Sequence, residues 1–397
     1  MKPCLKSTLS GLFIAAVQVS TCAHAFEWDD GKGQVHGFLS QGMVASSHNN
    51  FYGESSDGVS WDFREIGLNA SYRLNPGIQF SGQVMSRRAG EMDTGALWVD
   101  YAFADITLLS SEEKQVGIRI GRMKTPYGIY NETRDAAFTR PAVVVPQPVY
   151  FDVGRKFVLS SDGVHPYGRF EVPTGNLEVV FCIGKSPIDD RSSKATLVGY
   201  KAPGDFSQDR LTTGFRVMHE SADQRWLAGV SYFSLHQEYD PEPGDAFPQT
   251  SVLLEPWLVS LRYSGEKWTI SSEYMLEKAD FDFGNRKVDT YAQGWYIQSQ
   301  YRFMPDLELL LRYDYSAGDK DDRDGRKFQA TTGQPAYTRY LHDYVVGAKY
   351  DVTSSFMLRA EWHHLKGTFW LSSLDNPNPA DLKKDWDMFM LLGSWHF

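Results

Sequence analysis

Apolar and polar residues alternate with a period of two through most of this chain, and that period predicts β-strands, not helices. In segment 255–264, Trp257, Val259, Leu261 and Tyr263 share one face, while Ser260, Arg262 and Ser264 share the other. In 306–316, Leu307, Leu309, Leu311, Tyr313 and Tyr315 oppose Glu308, Arg312 and Asp314. In 354–366, Phe356, Leu358, Ala360 and Trp362 oppose Arg359, Glu361 and His363. Sixteen strands are expected, near 34–45, 62–73, 77–88, 95–105, 114–123, 163–172, 176–184, 209–219, 224–236, 255–264, 267–279, 290–302, 306–316, 340–351, 354–366 and 386–397. No long amphipathic helix and no linker-like shift of composition interrupts them.

The connections alternate in length. Tight turns read as Leu74-Asn75-Pro76-Gly77, Pro173-Thr174-Gly175, Ser221-Ala222-Asp223, Ser264-Gly265-Glu266, Met304-Pro305 and Thr353-Ser354. Between them lie longer polar connections at 46–61, 124–162, 185–208, 237–254, 317–339 and 367–385, with middling links at 89–94, 106–113 and 280–289. Short turns on one side and long loops on the other are the arrangement of a transmembrane β-barrel. A Greek-key sandwich does not keep that order. The expected fold is therefore all-β: an antiparallel up-and-down transmembrane barrel of about sixteen strands, with both ends on the short-turn side.

Composition sharpens this picture. The chain has 11 Trp, 21 Tyr and 24 Phe, yet its mean hydropathy is −0.40. Walls that meet lipid on one face and water on the other reconcile the two figures. At the N-terminus, Lys2 and Lys6 precede an apolar run from Leu9 to Val19 and then Ala23-His24-Ala25. That run is too short for a membrane helix, which needs about 20 residues. Residues 1–25 are expected to be a cleaved secretory signal peptide, and 26–397 a single barrel domain. Cleavage removes Cys4 and Cys22 and leaves Cys182, so no intrachain disulfide can form. Loss of Lys2 and Lys6 takes the formal charge from −10 to −12, which argues against nucleic acid as a partner.

The chain closes on Trp386 to Phe397, in which Phe389, Leu391, Trp395 and Phe397 fall on one face. A last strand ending in Phe resembles the assembly signal of bacterial outer-membrane proteins. With the signal peptide and sixteen strands, the mature chain resembles a Gram-negative outer-membrane porin of the sixteen-stranded type. The run Gly121-Arg122-Met123-Lys124-Thr125-Pro126-Tyr127-Gly128 is similar to a pattern in phosphate-selective porins O and P. The resemblance implies a passive diffusion channel for small hydrophilic solutes and ions, in a homotrimer. It also implies contacts with outer-membrane lipid and lipopolysaccharide, and recognition of Phe397 by the barrel-assembly machinery. Finally, it implies that the third external loop, 124–162, folds into the lumen and constricts it.

That loop carries Val143, Val144, Val145, Val149, Tyr150 and Phe151, which need burial, and Pro141, Pro146 and Pro148, which stiffen it. From 122 to 169 the bases are Arg122, Lys124, Arg134, Arg140, Arg155, Lys156 and Arg169, against Glu132, Asp135, Asp152 and Asp162. Arg122, Lys124, Arg134, Arg140 and Arg155, with Glu132 and Asp135 beside them, are expected to form a basic constriction that favours anionic or zwitterionic solutes. Arg73, Arg87, Arg119, Arg169, Arg312 and Arg359 are expected on the lumen wall.

Other patterns carry less. His363 and His364 are adjacent on a strand and point to opposite faces, poor geometry for one metal. Asp319 to Gly325 sets Lys320 and Arg323 among its acids and reads as a solvated loop, not a calcium site. No nucleophile elbow, phosphate loop or cysteine–histidine cluster occurs, so neither catalysis nor a cofactor is expected. The alternatives are an outer-membrane enzyme with its site at the barrel rim, and a receptor or adhesin without channel activity. The few residues between Phe26 and the first strand argue against a plugged transporter.

Overall fold

The computed structural model describes residues 26–187, 194–195, 203–245 and 247–397; the expected signal peptide lies outside them. The strands are β1 (Phe26–Trp28), β2 (Gly33–Ser46), β3 (Ser60–Asn75), β4 (Ile78–Ala89), β5 (Asp93–Ser110), β6 (Lys114–Lys124), β7 (Ser160–Val172), β8 (Gly175–Lys185) and β9 (Asp205–Ser207). They continue with β10 (Thr212–Ser221), β11 (Trp226–Asp240), β12 (Thr250–Ser264), β13 (Trp268–Asp282), β14 (Lys287–Met304), β15 (Leu307–Ala317), β16 (Tyr340–Thr353), β17 (Phe356–Gly367) and β18 (Asp385–His396). Two of the eighteen, β1 and β9, are three-residue additions on β2 and β11. The other sixteen pair antiparallel with their neighbours, β8 passes directly to β10, and β18 returns to β2. The sheet is a closed sixteen-stranded barrel.

Every expected strand is present, and several run further than alternation indicated. The expected 95–105 is Asp93–Ser110, 255–264 is Thr250–Ser264, and 290–302 is Lys287–Met304. The added residues lie largely beyond the apolar band, where both faces of the wall meet water and alternation carries no signal. The link at 280–289 thereby shrinks to a hairpin closed by Phe283 N–H donating to Arg286 C=O at 2.9 Å. Two short helices, α1 (Arg155–Leu159) and α2 (Arg326–Thr332), lie in connections. Among the described residues no helix is long and apolar enough to cross a membrane.

The outward face is apolar and exposed. Along β12, Trp257, Val259 and Leu261 are 50%, 55% and 46% exposed, while Leu258 and Ser260 between them are buried. Aromatic pairs border this band at two levels. Trp226–Tyr263 (4.9 Å) and Trp268–Tyr301 (4.5 Å) lie near the short turns, and Tyr232–Trp257 (4.7 Å) and Trp295–Tyr313 (5.3 Å) lie further up. A band of this kind running round a closed cylinder requires hydrocarbon outside it. The closing seam includes the chain end: Phe397 and Gly37 exchange backbone hydrogen bonds of 3.0 and 3.2 Å. The Phe397 ring covers Gly37, where a Cβ would stand 2.5 Å from it, so a larger residue there would have to displace the ring.

Placing a charge in the band tests it. Val259→Arg is expected to cost about 2–4 kcal/mol in equilibrium unfolding from lipid vesicles, whereas Glu266→Arg at the exposed turn is expected to leave stability unchanged.

Candidate functional site

Alternation that turns one face to hydrocarbon turns the other to the lumen, and there the wall meets segment 125–159. The segment's apolar residues divide between two inner surfaces. Ala137, Val143 and Val144 join a cluster with Val44, Phe63, Met388, Met390 and Leu392 from β2, β3 and β18. Tyr127, Tyr130, Val145, Val149 and Tyr150 join a second with Phe233, Leu235, Val252, Leu258 and Tyr296 from β11, β12 and β14. Phe138 stacks on His396 at 4.2 Å and meets Phe38 at 6.4 Å, so the chain descends to the level where β18 closes on β2.

Irregular backbone held against a wall needs partners for its N–H and C=O groups. Inward side chains supply them. Glu361 accepts from Val143 N–H at 2.6 Å, Arg359 donates to the carbonyl of Ala142 at 2.8 Å, and Arg312 donates to that of Val144 at 3.2 Å. On another arc, Glu273 accepts from Ile129 N–H at 3.0 Å and from the hydroxyls of Tyr150 and Tyr296 at 2.6 and 2.9 Å. Ser231 Oγ accepts from Gly128 N–H at 3.1 Å.

The charges form a third set of anchors, on the β3–β6 side. Arg140 grips Glu65 with two bonds of 3.0 and 2.7 Å. Asp152 accepts from Tyr52 OH at 2.6 Å, from Arg134 at 3.2 Å and from Arg87 at 2.5 Å. Arg87 also meets Asp93, and Asp135 is shared by Lys124 and Arg155. Lys124 further reaches Asp100 at 2.5 Å. All ten charged side chains, and Tyr52 with them, are buried. Five buried bases (Arg87, Lys124, Arg134, Arg140, Arg155) thus meet five buried acids (Glu65, Asp93, Asp100, Asp135, Asp152), and the partly exposed Lys156 reaches Asp93 at 3.2 Å from the edge. Burial, and then the neighbouring guanidiniums of Arg87 and Arg134, push the Arg155 pKa down, and the shared acids oppose that shift.

The bases expected at the constriction all lie in ion pairs. Lys124, Arg134, Arg140 and Arg155 do cluster, but acids from β3, β5 and the segment itself neutralise them. Arg122 is not among them. It shares the outward parity of Ile120 and pairs with Asp162 at 2.6 Å on the outer side of the wall. Glu132 pairs across the lumen side with Arg216 at 2.5 Å. On the wall, Arg87, Arg312 and Arg359 are buried anchors, as described. Arg119 pairs with Asp105 at 3.0 Å beneath Tyr167, and Arg169 pairs with Glu178 at 2.9 Å, both partly in solvent. Arg73 is exposed at the short-turn rim beside Gln79.

Tyr52, Asp93 and Asp100 escaped sequence reasoning. Tyr52 lies in a connection and Asp93 opens a strand at a turn, where parity says nothing. Asp100 occupies a register shift between β4 and β5 that breaks alternation and turns it inward to Gln83 at 2.7 Å. His363 and His364 do diverge, to Asp343 (2.8 Å, buried) and Asp387 (2.9 Å, half exposed). In the 319–325 loop, Asp322 accepts from the N–H groups of Lys327 and Phe328, at 3.0 and 2.7 Å, in the first turn of α2.

Above the segment, external connections lock together. Asn49 and Lys383 exchange two bonds of 2.8 Å, and Asn376 bonds both ways with the Asn50 backbone at 3.0 and 2.9 Å. Asp375 reaches across to the 90–92 turn and accepts from Glu91 N–H at 2.9 Å. Burial pushes its pKa up to about 6. A carboxyl raised in the folded state binds its proton more tightly there than in the unfolded chain. This latch therefore gains stability as pH falls through 6 towards 4 and loses it above.

Two outcomes follow. Arg140→Ala takes both hydrogen bonds from buried Glu65, leaving it only the 3.5 Å contact with Arg87, and is expected to cost about 3–5 kcal/mol, read as a lower denaturant midpoint with faster hydrogen exchange across 134–145. Between pH 7 and 5, intrinsic-rate-corrected exchange at 50–56 and 90–92 is expected to slow in the native chain and to stay flat in Asp375→Asn.

No protein-family model matches the sequence, and no curated protein matches it. Solved structures do match the fold. The outer-membrane channel DcaP of Acinetobacter baumannii superposes with a TM-score of 0.57 at 11% identity, over 94% of this chain and 99% of that one. The anion-selective porin from Comamonas acidovorans gives 0.57 at 10%, over 92% and 99%. OprB of Pseudomonas putida gives 0.58 at 9%, over 93% and 95%. At such identities the likeness is one of architecture. Together with the apolar outer band, it makes this chain a membrane-spanning β-barrel with the porin fold.

Proposed function

We propose that the chain is a passive outer-membrane channel for small polar solutes, that segment 125–159 narrows its lumen, and that it selects by size more than by sign of charge. The observation that carries this reading is the five-to-five balance of buried charges on the β3–β6 side of the segment. A guanidinium fixed against its own carboxylate presents little net field to a passing ion. The groups left at the water-facing side are mixed: Thr133, Phe138 and Thr139 on the segment are exposed, and the partly exposed pairs Arg119–Asp105 and Arg169–Glu178 stand on the wall. The anion preference expected from the bases alone is replaced by weak selectivity. The reading includes a homotrimer in contact with lipopolysaccharide and Phe397 as the assembly signal, both resting on the resemblance to porins.

In planar bilayers the native chain is expected to show small single-channel conductance and a reversal potential near zero in a potassium chloride gradient. Joint replacement Glu65→Ala and Arg140→Ala releases one anchor without stranding a charge and is expected to raise conductance at least twofold. Strong anion selectivity in the native channel would refute the charge balance. Absence of current from both proteins would refute the channel.

A further inference from the structure

We propose that Asp209, His236 and Glu238 form a binding site for a divalent transition-metal ion, zinc being the closest chemical match, on the outward face of the barrel's outer rim. His236 and Glu238 are two residues apart on β11 and so share a face. It is the face of Tyr232, and His236 lies further towards the mouth than the Tyr232–Trp257 pair. Asp209 follows β9, which pairs with β11 at Glu238 to Asp240 and so delivers it to the same place. One donor atom from each of the three lies within 4.8 Å of the others. Donors each about 2.1 Å from one ion stand no more than about 4.2 Å apart, so small side-chain rotations close the set around it.

The imidazole is buried and held at both nitrogens. Nε2 lies 2.8 Å from Ser251 Oγ, and Nδ1 lies 2.7 Å from Asp209 Oδ1. With Nε2–H donating to Ser251, Nδ1 presents its lone pair beside Asp209 Oδ1, where an ion can take the place of the proton that otherwise lies between them. A ligating histidine that donates its other N–H to a neighbour is the usual support of a metal site. Asp209 directs its other oxygen towards Arg210 at 3.7 Å, which leaves Oδ1 for the ion. An ion here would tie the connection between β8 and β10 to the barrel wall.

The line Asp209–His236–Ser251 also has the order of an acid–base–nucleophile relay. Its surroundings oppose that use. Glu238 stands directly across the ladder from Ser251, placing a carboxylate where a developing oxyanion needs donors. Asp209 is also half exposed. Metal binding uses Glu238, and hydrolysis is hindered by it.

The test is zinc titration by calorimetry on the purified, tag-free full chain in detergent micelles at pH 7.5. One ion per chain is expected, with affinity at least tenfold lower in His236→Ala and in Glu238→Gln. Affinity is also expected to fall as the solution is acidified, because protons compete with the metal for imidazole and carboxylate ligands. Unchanged heat-modifiable migration in electrophoresis confirms that each variant is folded. Should His236→Ala fail that check, Asp209→Asn and Glu238→Gln carry the test. No binding by the native chain, or equal binding by the folded variants, overturns the site. Labelling of Ser251 by a fluorophosphonate probe overturns it in favour of the hydrolytic relay.

Discussion

Hydrocarbon offers no hydrogen bonds, and the rest of this structure depends on that constraint. A strand in a membrane must find partners for its N–H and C=O groups on both sides, so the sixteen strands close on themselves. Closure gives every residue of the wall one of two neighbours, lipid or lumen. Trp257, Val259 and Leu261 point one way because Leu258 and Ser260 point the other. The aromatic pairs at two heights mark where hydrocarbon gives way to water.

The same constraint governs segment 125–159, whose backbone forms no ladder of its own. Glu273, Glu361, Arg312 and Arg359 spend their polar atoms on its amides and carbonyls, and apolar clusters on two inner surfaces hold its valines and tyrosines. Buried ion pairs are a costly way to hold a loop, since each partner gives up its water. Arg140 with Glu65 and Arg87 with Asp152 keep good geometry, which limits that cost. They also hold the segment to one position, because a shift of an ångström would leave charges unpaired. Stiffness of this kind suits a passage whose width matters.

Charge shows most clearly how a local count misleads. Counted along 122–169, bases outnumber acids. In space, Glu65, Asp93 and Asp100 arrive from β3 and β5 and the ten buried charges balance, with the partly exposed Lys156 at their edge on Asp93. The external connections follow the same pattern on the solvent side: Asp375 leaves water to reach the 90–92 turn, and burial turns it into a group that titrates near neutral pH.

Sixteen strands, the sidedness of the wall, the alternation of short and long connections and the identity of the segment to be buried were all set by the sequence alone. The cause is that alternation is a two-residue property and is written wherever lipid and water lie on opposite faces. Strand ends beyond the apolar band, the two three-residue strands and the inward turn of Asp100 at a register shift were not written there, because both faces are wet or the period breaks. Which charges meet was decided only by tertiary structure. Glu65 and Arg140, Tyr52 and Asp152, or Asp209 and His236 come together through strand register and the path of connections. Those depend on the whole closed cylinder and not on any stretch of chain read by itself.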